Sequence, residues 1–430
     1  VRIAIVGTGV AGLVAAHRLH RIHEIALYEA DDRIGGHSHT VRVDLADETH
    51  WVDTGFIVHN DRNYPEFEAL MAELGVATQP SRMSFSVSDD AGRFEYSGTP
   101  GGLFAQRSHL VDPRFLRMVA DLRRFNREAS ALLDIAPGEG PSLRELLAEG
   151  GYSNWFVERL IVPQASAVWS AEPDRLWSFP AAFLARFFHN HGMLGFRDRP
   201  RWRTVGGGSR TYVEALAGPF ADRIRTSAPV RSITRHPSHV EIAADGCETE
   251  RYDEVVIAVH SDQALAVLAD PSASEREILG AIPYQRNEAV LHTDESLLPR
   301  RRRARASWNY HLGRLDRPAE DQQDEAPRPA RLTYWMNSLQ SIDSSTDLCV
   351  TLNRTERIDP AKILESVGYS HPVFTPEGVA AQQRHSEISG LRRTHYCGAY
   401  WGHGFHEDGV VSALRAIEPL ASPDLEELAA

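Results

Sequence analysis

The segment IAIVGTGVAGLVAAHRLH, Ile3–His20, narrows the fold more than any other in the chain. An apolar, β-rich run meets a turn holding Gly7, Gly9 and Gly12, and an alanine-rich helix former follows. The apolar run suits a strand buried in a parallel sheet. The first glycine permits the tight turn, the second lets the backbone approach a pyrophosphate, and the third brings the helix close to the strand. Backbone amides and the positive end of the helix dipole then face the phosphates. The next strand-like run, EIALYEA, ends at Glu29, where an acid can hydrogen-bond a ribose diol. Strand, turn, helix, strand and acid together predict a dinucleotide site on a Rossmann-type α/β domain. NAD and FAD both suit that geometry.

The remaining composition narrows the setting. At 430 residues the chain is long enough for two intimately packed domains. A net charge of -13 argues against a nucleic-acid partner, which needs a basic surface. One run departs from this balance, PRRRRAR at Pro299–Arg305. It reads first as a solvated hairpin tip, and in a sharper reading as a peripheral contact for anionic lipid head groups. No apolar run approaches the roughly 20 residues of a membrane helix, and the chain opens on a strand instead of a leader, so the cytoplasm is expected. Cys247, Cys349 and Cys397 are too widely spaced for metal ligation or a disulfide framework. No metal is expected.

A second glycine-rich segment separates the two dinucleotides. EADDRIGGHSHT places Ala30, Arg33, Gly35, Gly36, His37 and Ser38 just after the ribose acid. This resembles the glycine doublet after the second strand in FAD proteins of the flavin amine oxidase and phytoene desaturase group. The resemblance continues through VDTGFIVHN (Val52–Asn60), WRTVGGGSRTYVEAL (Trp202–Leu216) and YCGAYWGHGFHEDGVVSALRAIE (Tyr396–Glu418), and so spans the chain. Within the group the match is to a bacterial amine-oxidase-like family often found beside cyclopropane-fatty-acid-synthase-like methyltransferases.

The resemblance implies a glutathione-reductase-like FAD domain of the amine oxidase subgroup, interleaved with an α+β substrate domain. FAD-binding pieces are expected at 1–62, 201–270 and 395–430, and substrate-binding pieces at 63–200, mainly helical, and 272–394, rich in strands. It further implies FAD contacts at Thr54, Gly55, Val230, Gly398, Asp408, Gly409 and Val410, with a helix starting at EDGVV aimed at the flavin. Only one dinucleotide fingerprint is present, since VGGGSR lacks the spacing and follows no clear buried strand. The substrate itself then supplies the hydride.

Many amine oxidases hold a lysine that reaches the flavin through water. The comparable strand here, YQRNEAVLHTDESLLP, carries Asn287 and Glu288, and the single lysine of the chain, Lys362, lies in a stretch that reads as helical and exposed. The histidines of GGHSHT and WGHGFHEDG serve either as supports for the FAD turns or as acid and base. His403 and His406, with Glu407 to set their charge, are the catalytic candidates. The aromatics of Val168–Leu194, Trp169 and Phe187 among them, either build a helical core or line an apolar tunnel. Tyr334 and Trp335 are expected to shape a substrate slot. GRLDRPAEDQQDEAPRPAR, Gly313–Arg331, reads as an exposed connection.

These observations lead to an FAD-dependent oxidoreductase. It would act on a small hydrophobic substrate, fatty-acyl, lipid-like or polyene, as a desaturase, dehydrogenase, oxidase or double-bond isomerase. An amine oxidase working without the usual lysine, and a non-catalytic flavoprotein partner of a methyltransferase, are the alternatives.

Overall fold

Ile3, Ala4 and Ile5 of the opening strand (Arg2–Val6) are wholly buried because the strand is central in its sheet and both faces of that sheet are covered. Glu24–Tyr28 runs parallel to it on one flank and Glu254–Ile257 on the other. Ile224–Arg225 and Thr394–Tyr396 complete a five-stranded parallel sheet. Its strands therefore come from three well-separated stretches of chain. The computed structural model describes residues 1–45, 48–136, 139–169, 176–195, 199–312 and 330–421, and apart from Ala330 and Arg331 the stretch Gly313–Arg331 lies outside them.

The helix Val10–Leu19 is buried at every position but Arg18, as expected of a helix sandwiched between a sheet and another helix. Its partner is the carboxyl-terminal helix His406–Ala421. The two approach where Gly409 faces Val10, and a Cβ on Gly409 would lie 2.6 Å from Val10 Cγ1. Gly7 has a φ of +99°, and a Cβ on Gly12 would collide with the Gly7 carbonyl. The first and third glycines are thus required by backbone geometry.

A seven-stranded mixed sheet forms the second layer system. It contains Phe85–Asp89 and Glu95–Ser97 as well as Tyr284–His292, Trp308–Leu312, Leu332–Trp335, Cys349–Leu352 and Ile363–Pro372. Val230–Arg235 and Val240–Ala244 form an antiparallel hairpin, joined by Glu250–Tyr252. Two local readings are corrected. The stretch around Lys362 is one 3-10 turn followed by a ten-residue strand, and its β-branched and aromatic residues pair with Tyr284–His292. VGGGSR does follow a strand, Trp202–Val205, but that strand lies in a separate antiparallel sheet, the wrong setting for a second nucleotide fold.

Asp53 fastens these layers together. Its buried carboxylate accepts hydrogen bonds from Ser209 N (2.9 Å), Ser209 Oγ (2.8 Å), Thr40 Oγ1 (2.5 Å) and Gln340 Nε2 (2.8 Å). Burial raises it to about 6 against those donors.

Gly409→Ala is expected to force the two helices apart and lower unfolding stability by about 1–3 kcal/mol. Urea denaturation checks this, and an unchanged midpoint would show that the helices give way.

Candidate functional site

The nucleotide cradle opens at one glycine of the first turn. A Cβ on Gly9 would meet no heavy atom within 4 Å, whereas on Gly7 it would lie 2.8 Å from the Ala258 carbonyl oxygen. At the end of the second strand, Glu29 is held by the Thr8 amide (2.9 Å), the Thr8 hydroxyl and the Asp31 amide (3.0 Å), with Ala30 exposed beside it. The glycine doublet folds onto this turn. Gly35 N donates to Thr8 O (3.0 Å), Arg33 Nη1 donates to Gly36 O (2.8 Å), and a Cβ on Gly36 would stand 3.2 Å from Gly9 Cα. Thr54 N and Phe56 N donate to the carbonyls of His39 and His37, and a Cβ on Gly55 would strike the latter. Gly398 N donates to Ser412 Oγ, and Val410 is buried. Val230 is half-buried at the start of the hairpin and opposite Ala244, two residues beyond Ala228, whose amide donates to Glu29 O at 2.8 Å.

Three acid–base candidates of the carboxyl-terminal turn have different surroundings. His406 Nε2 lies 2.8 Å from Ser38 Oγ and 3.0 Å from Tyr212 Oη, and its ring stacks on Phe56 at 3.5 Å. Burial pushes it down to about 3, so it is neutral and braces the glycine doublet from behind. Glu407 accepts the Glu66 and Phe67 amides and so caps the helix Pro65–Leu74. Asp408, pushed up to about 7 by burial, accepts Phe405 N at 2.8 Å, occupying an amide at the start of the carboxyl-terminal helix.

His403, further up the same turn, sits in a buried aromatic cluster. Its ring stacks on Phe183 at 4.6 Å and lies 6.0 Å from Phe187, while Trp169 Nε1 donates to its carbonyl at 3.2 Å. Phe374 and Phe405 complete the group, at 5.2 Å from Phe183 and 5.1 Å from Phe187. His403 Nε2 has no partner among the described residues, and burial lowers the imidazole to about 4. Tyr334 packs edge-on against Trp308, and Trp335 donates its indole N–H to Asp347 at 2.8 Å, so these two belong to the seven-stranded sheet.

A second polar cluster gathers around His37. Its ring stacks on Tyr369 at 4.8 Å and lies within 6 Å of His371 and His260. Asn287 Oδ1 accepts from Asn353 Nδ2 at 2.8 Å, which leaves Nδ2 to donate to His371 Nδ1 at 2.9 Å. The strand Tyr284–His292 therefore presents a neutral amide beside an imidazole, and Lys362 lies elsewhere, 3.2 Å from Asp294 Oδ1. Burial and the neighbouring rings hold His37 well below the usual histidine range, and its buried Nε2 has no partner among the described residues. Cys397 is buried and its thiol is pushed up to about 12. His236, His239 and Glu241 converge at the hairpin tip, but Arg251 Nε already occupies the Glu241 carboxylate at 3.1 Å.

Residues 10–302, which include the glycine doublet, match a family model, flavin containing amine oxidoreductase. The chain belongs to that family. It is 29% identical over 283 residues to AofH of Mycobacterium tuberculosis, whose name assigns it provisionally to the flavin-containing monoamine oxidases. That match spans 63% of this chain and 59% of AofH, less than two thirds of the relative's length. Cyclohexylamine oxidase of Brevibacterium oxydans superposes over 100% of both chains with a TM-score of 0.70 at 17% identity. A fatty acid isomerase of P. acnes, named for producing CLA, superposes over 97% of this chain and 98% of its own with a TM-score of 0.65 at 16% identity. At such identities the superpositions establish the fold.

FAD is the cofactor of this family, and the residues present fit it. The cradle is open only where a pyrophosphate would pass Gly9, Glu29 stands at the ribose position, and His37 Nε2 is a buried polar atom still lacking a partner. Sequence reasoning missed His260, His371 and Tyr369. The alternation Tyr369, Ser370, His371 on one strand, once that strand is recognised, places the two rings on the same face.

Gly9→Val should fold with the melting temperature of the flavin-stripped parent yet purify without flavin, because its side chain fills only the cradle; the flavin-to-protein absorbance ratio checks this. Acid should also destabilise the fold. His39, His59, His191, His371 and His403 are lowered to about 4 and His406 to about 3, against 6.5 when exposed. Between pH 4 and 6.5 the folded chain holds fewer protons on these rings than the unfolded chain, so stability falls as pH drops through that window. Asp53 and Asp408 act in the opposite sense and are outnumbered. The denaturation midpoint at about pH 5 should lie below that at about pH 7.5.

Proposed function

We propose that this chain is an FAD-dependent oxidoreductase acting on a hydrophobic substrate, a fatty-acyl, lipid-like or polyene chain, as a desaturase, dehydrogenase or oxidase, or as a redox-neutral double-bond isomerase. The observation that carries the reading is the buried aromatic cluster that surrounds His403. Its walls are Phe183, Phe187, Phe374, Phe405 and Trp169, and its polar atom is an imidazole Nε2 with no partner among the described residues. An apolar chain gains free energy on entering such walls, roughly 25 cal/mol per Å² removed from water. The Asn287–His371 pair offers no cationic lysine to a polar substrate.

FAD, when bound, supplies the hydride acceptor. His403, neutral because it is desolvated, can take the proton from a carbon neighbouring the one that loses hydride. In the isomerase form the hydride would be returned to a different carbon of the chain and the same nitrogen would give back its proton, so that no electrons are lost overall. His406 and Glu407 hold the turn that positions His403, through Ser38 and Tyr212 and through the helix Pro65–Leu74. Support also comes from the fatty acid isomerase that shares the fold.

A second reading is oxidation of an amine in its neutral form. The names of AofH and cyclohexylamine oxidase favour it. The two readings predict different products, peroxide with an aldehyde or imine from amines, and a desaturated or shifted chain from lipids.

Adding fatty-acyl, polyene and amine compounds in turn to the anaerobic holoprotein tests both. Bleaching of the oxidised flavin spectrum by an acyl or polyene compound supports oxidation, and conversion without bleaching supports isomerisation. Silence toward both, with bleaching by amines, overturns the first reading. His403→Ala is expected to keep its flavin and lose turnover by about 100-fold or more. Retained turnover would remove His403 from the chemistry.

A further inference from the structure

Few large apolar side chains are exposed among the described residues, and three of them fall in one short stretch. Leu110, Val111 and Leu116 are 55%, 81% and 44% exposed, just before and within the first turn of the helix Pro113–Glu128. Exposed apolar groups clustered in this way mark contact with something other than water. The same stretch carries Arg107, Arg114 and Arg117.

The tertiary structure brings the PRRRRAR run to this place. Glu95 is buried, and its carboxylate accepts Arg300 N (2.7 Å), Arg301 N (3.1 Å) and Arg301 Nη1 (2.9 Å). Its own amide donates to Gln106 Oε1, whose side-chain nitrogen reaches Ser108 Oγ at 3.0 Å. Ser97 Oγ adds a bond to Arg303 O. The basic run is thereby fastened beside the loop that holds Leu110 and Val111. Arg302 and Arg303 are exposed, and neither they nor Arg107 have a carboxylate partner among the described residues.

A cavity of about 500 Å³ opens on this face, with Arg93, Arg114, Arg159, Phe94 and Trp155 in its walls. The Arg159 and Arg114 guanidinium groups lie over the Trp155 ring at 4.2 and 4.6 Å. Arg159 Nε has no hydrogen-bond partner among the described residues. Asp89 and Asp112 also line the cavity, and each sits against an arginine, Arg93 at 3.5 Å and Arg114 at 3.0 Å.

We propose that this face docks on the surface of an anionic lipid bilayer. Leu110, Val111 and Leu116 enter the boundary between head groups and acyl chains, and the surrounding arginines meet the phosphates. An apolar tip flanked by cations that have no carboxylate partner among the described residues, Arg107, Arg302 and Arg303, is the pattern of an interfacial anchor. Guanidinium forks suit phosphate oxygens. On a chain of net charge -13, attraction to an anionic surface has to come from a local basic patch of this kind. The inference stands apart from the reaction proposed above and does not depend on it.

Co-sedimentation of the holoprotein with phosphatidylcholine vesicles, with and without phosphatidylserine, tests the proposal. Binding is expected only when phosphatidylserine is present, and it should weaken as salt rises. The paired change Arg302→Ala and Arg303→Ala should reduce partitioning by about tenfold. Val111→Asp should reduce it as well, with melting temperature and flavin content unchanged, since these side chains lie in water. No binding to either vesicle, equal binding to both, or variants that bind like the parent would overturn the proposal. So would a concentration-dependent dimer, seen by light scattering, that Val111→Asp abolishes, because the patch would then belong to a second copy.

Discussion

Close approach of backbone to backbone is the constraint on which this molecule rests. The first turn, the glycine doublet and the carboxyl-terminal helix meet at distances that allow almost no side chain. A Cβ on Gly36 would stand 3.2 Å from Gly9 Cα, and one on Gly409 would stand 2.6 Å from Val10 Cγ1. That crowding leaves a single opening, at Gly9, facing the amino end of the buried first helix. Unpaired amides and the positive end of the dipole converge there, which gives a site for a dinucleotide's phosphates. The elements that meet at this point lie far apart in sequence, so the cradle exists only when the parallel sheet has assembled.

Desolvation then decides the chemistry available beside the cradle. The rings of His37, His371, His403 and His406 are all shifted below the ordinary histidine range because water is excluded from them. They are neutral, so each can accept a proton or brace a neighbour without placing a fixed charge near an apolar substrate. What separates their roles is hydrogen bonding. His406 is bonded to Ser38 and Tyr212, and His371 to Asn287, whereas Nε2 of His403, among the aromatic rings, and Nε2 of His37, at the glycine doublet, are left without a partner among the described residues. A buried polar atom in that state has an energetic reason to bind a ligand.

Much of the architecture could be read in advance where the local pattern and the final environment agree. The strands at Ile3 and Glu24 formed where an apolar, β-rich run pointed. The helix around Lys362 did not form, because the valine and aromatic residues that follow pair with the strand Tyr284–His292, and a ladder of that length outweighs weak helical propensity. Phe85–Asp89 and Glu95–Ser97, inside a stretch that reads as mainly helical, are strands because the seven-stranded sheet offers them an edge. Aromatic spacing in Val168–Leu194 carried no information on whether a ring faced a core or a cavity. Trp169 and Phe187 reached His403, while Tyr334 and Trp335 joined Trp308 and Asp347.

By itself the sequence determined the dinucleotide turn, its acid at Glu29, the glycine doublet and the family these imply, because each depends on residues within a few positions of one another along the chain. Backbone sterics and helix polarity act at that range. Which histidine would be free to act, which strand would face it, and that Glu95 would fasten the arginine run beside Leu110 and Val111 were decided only in the tertiary structure. Those outcomes turn on burial and on hydrogen-bond partners tens to hundreds of residues away, such as Ser38 with His406 or Asn287 with His371, and a linear pattern carries no record of either.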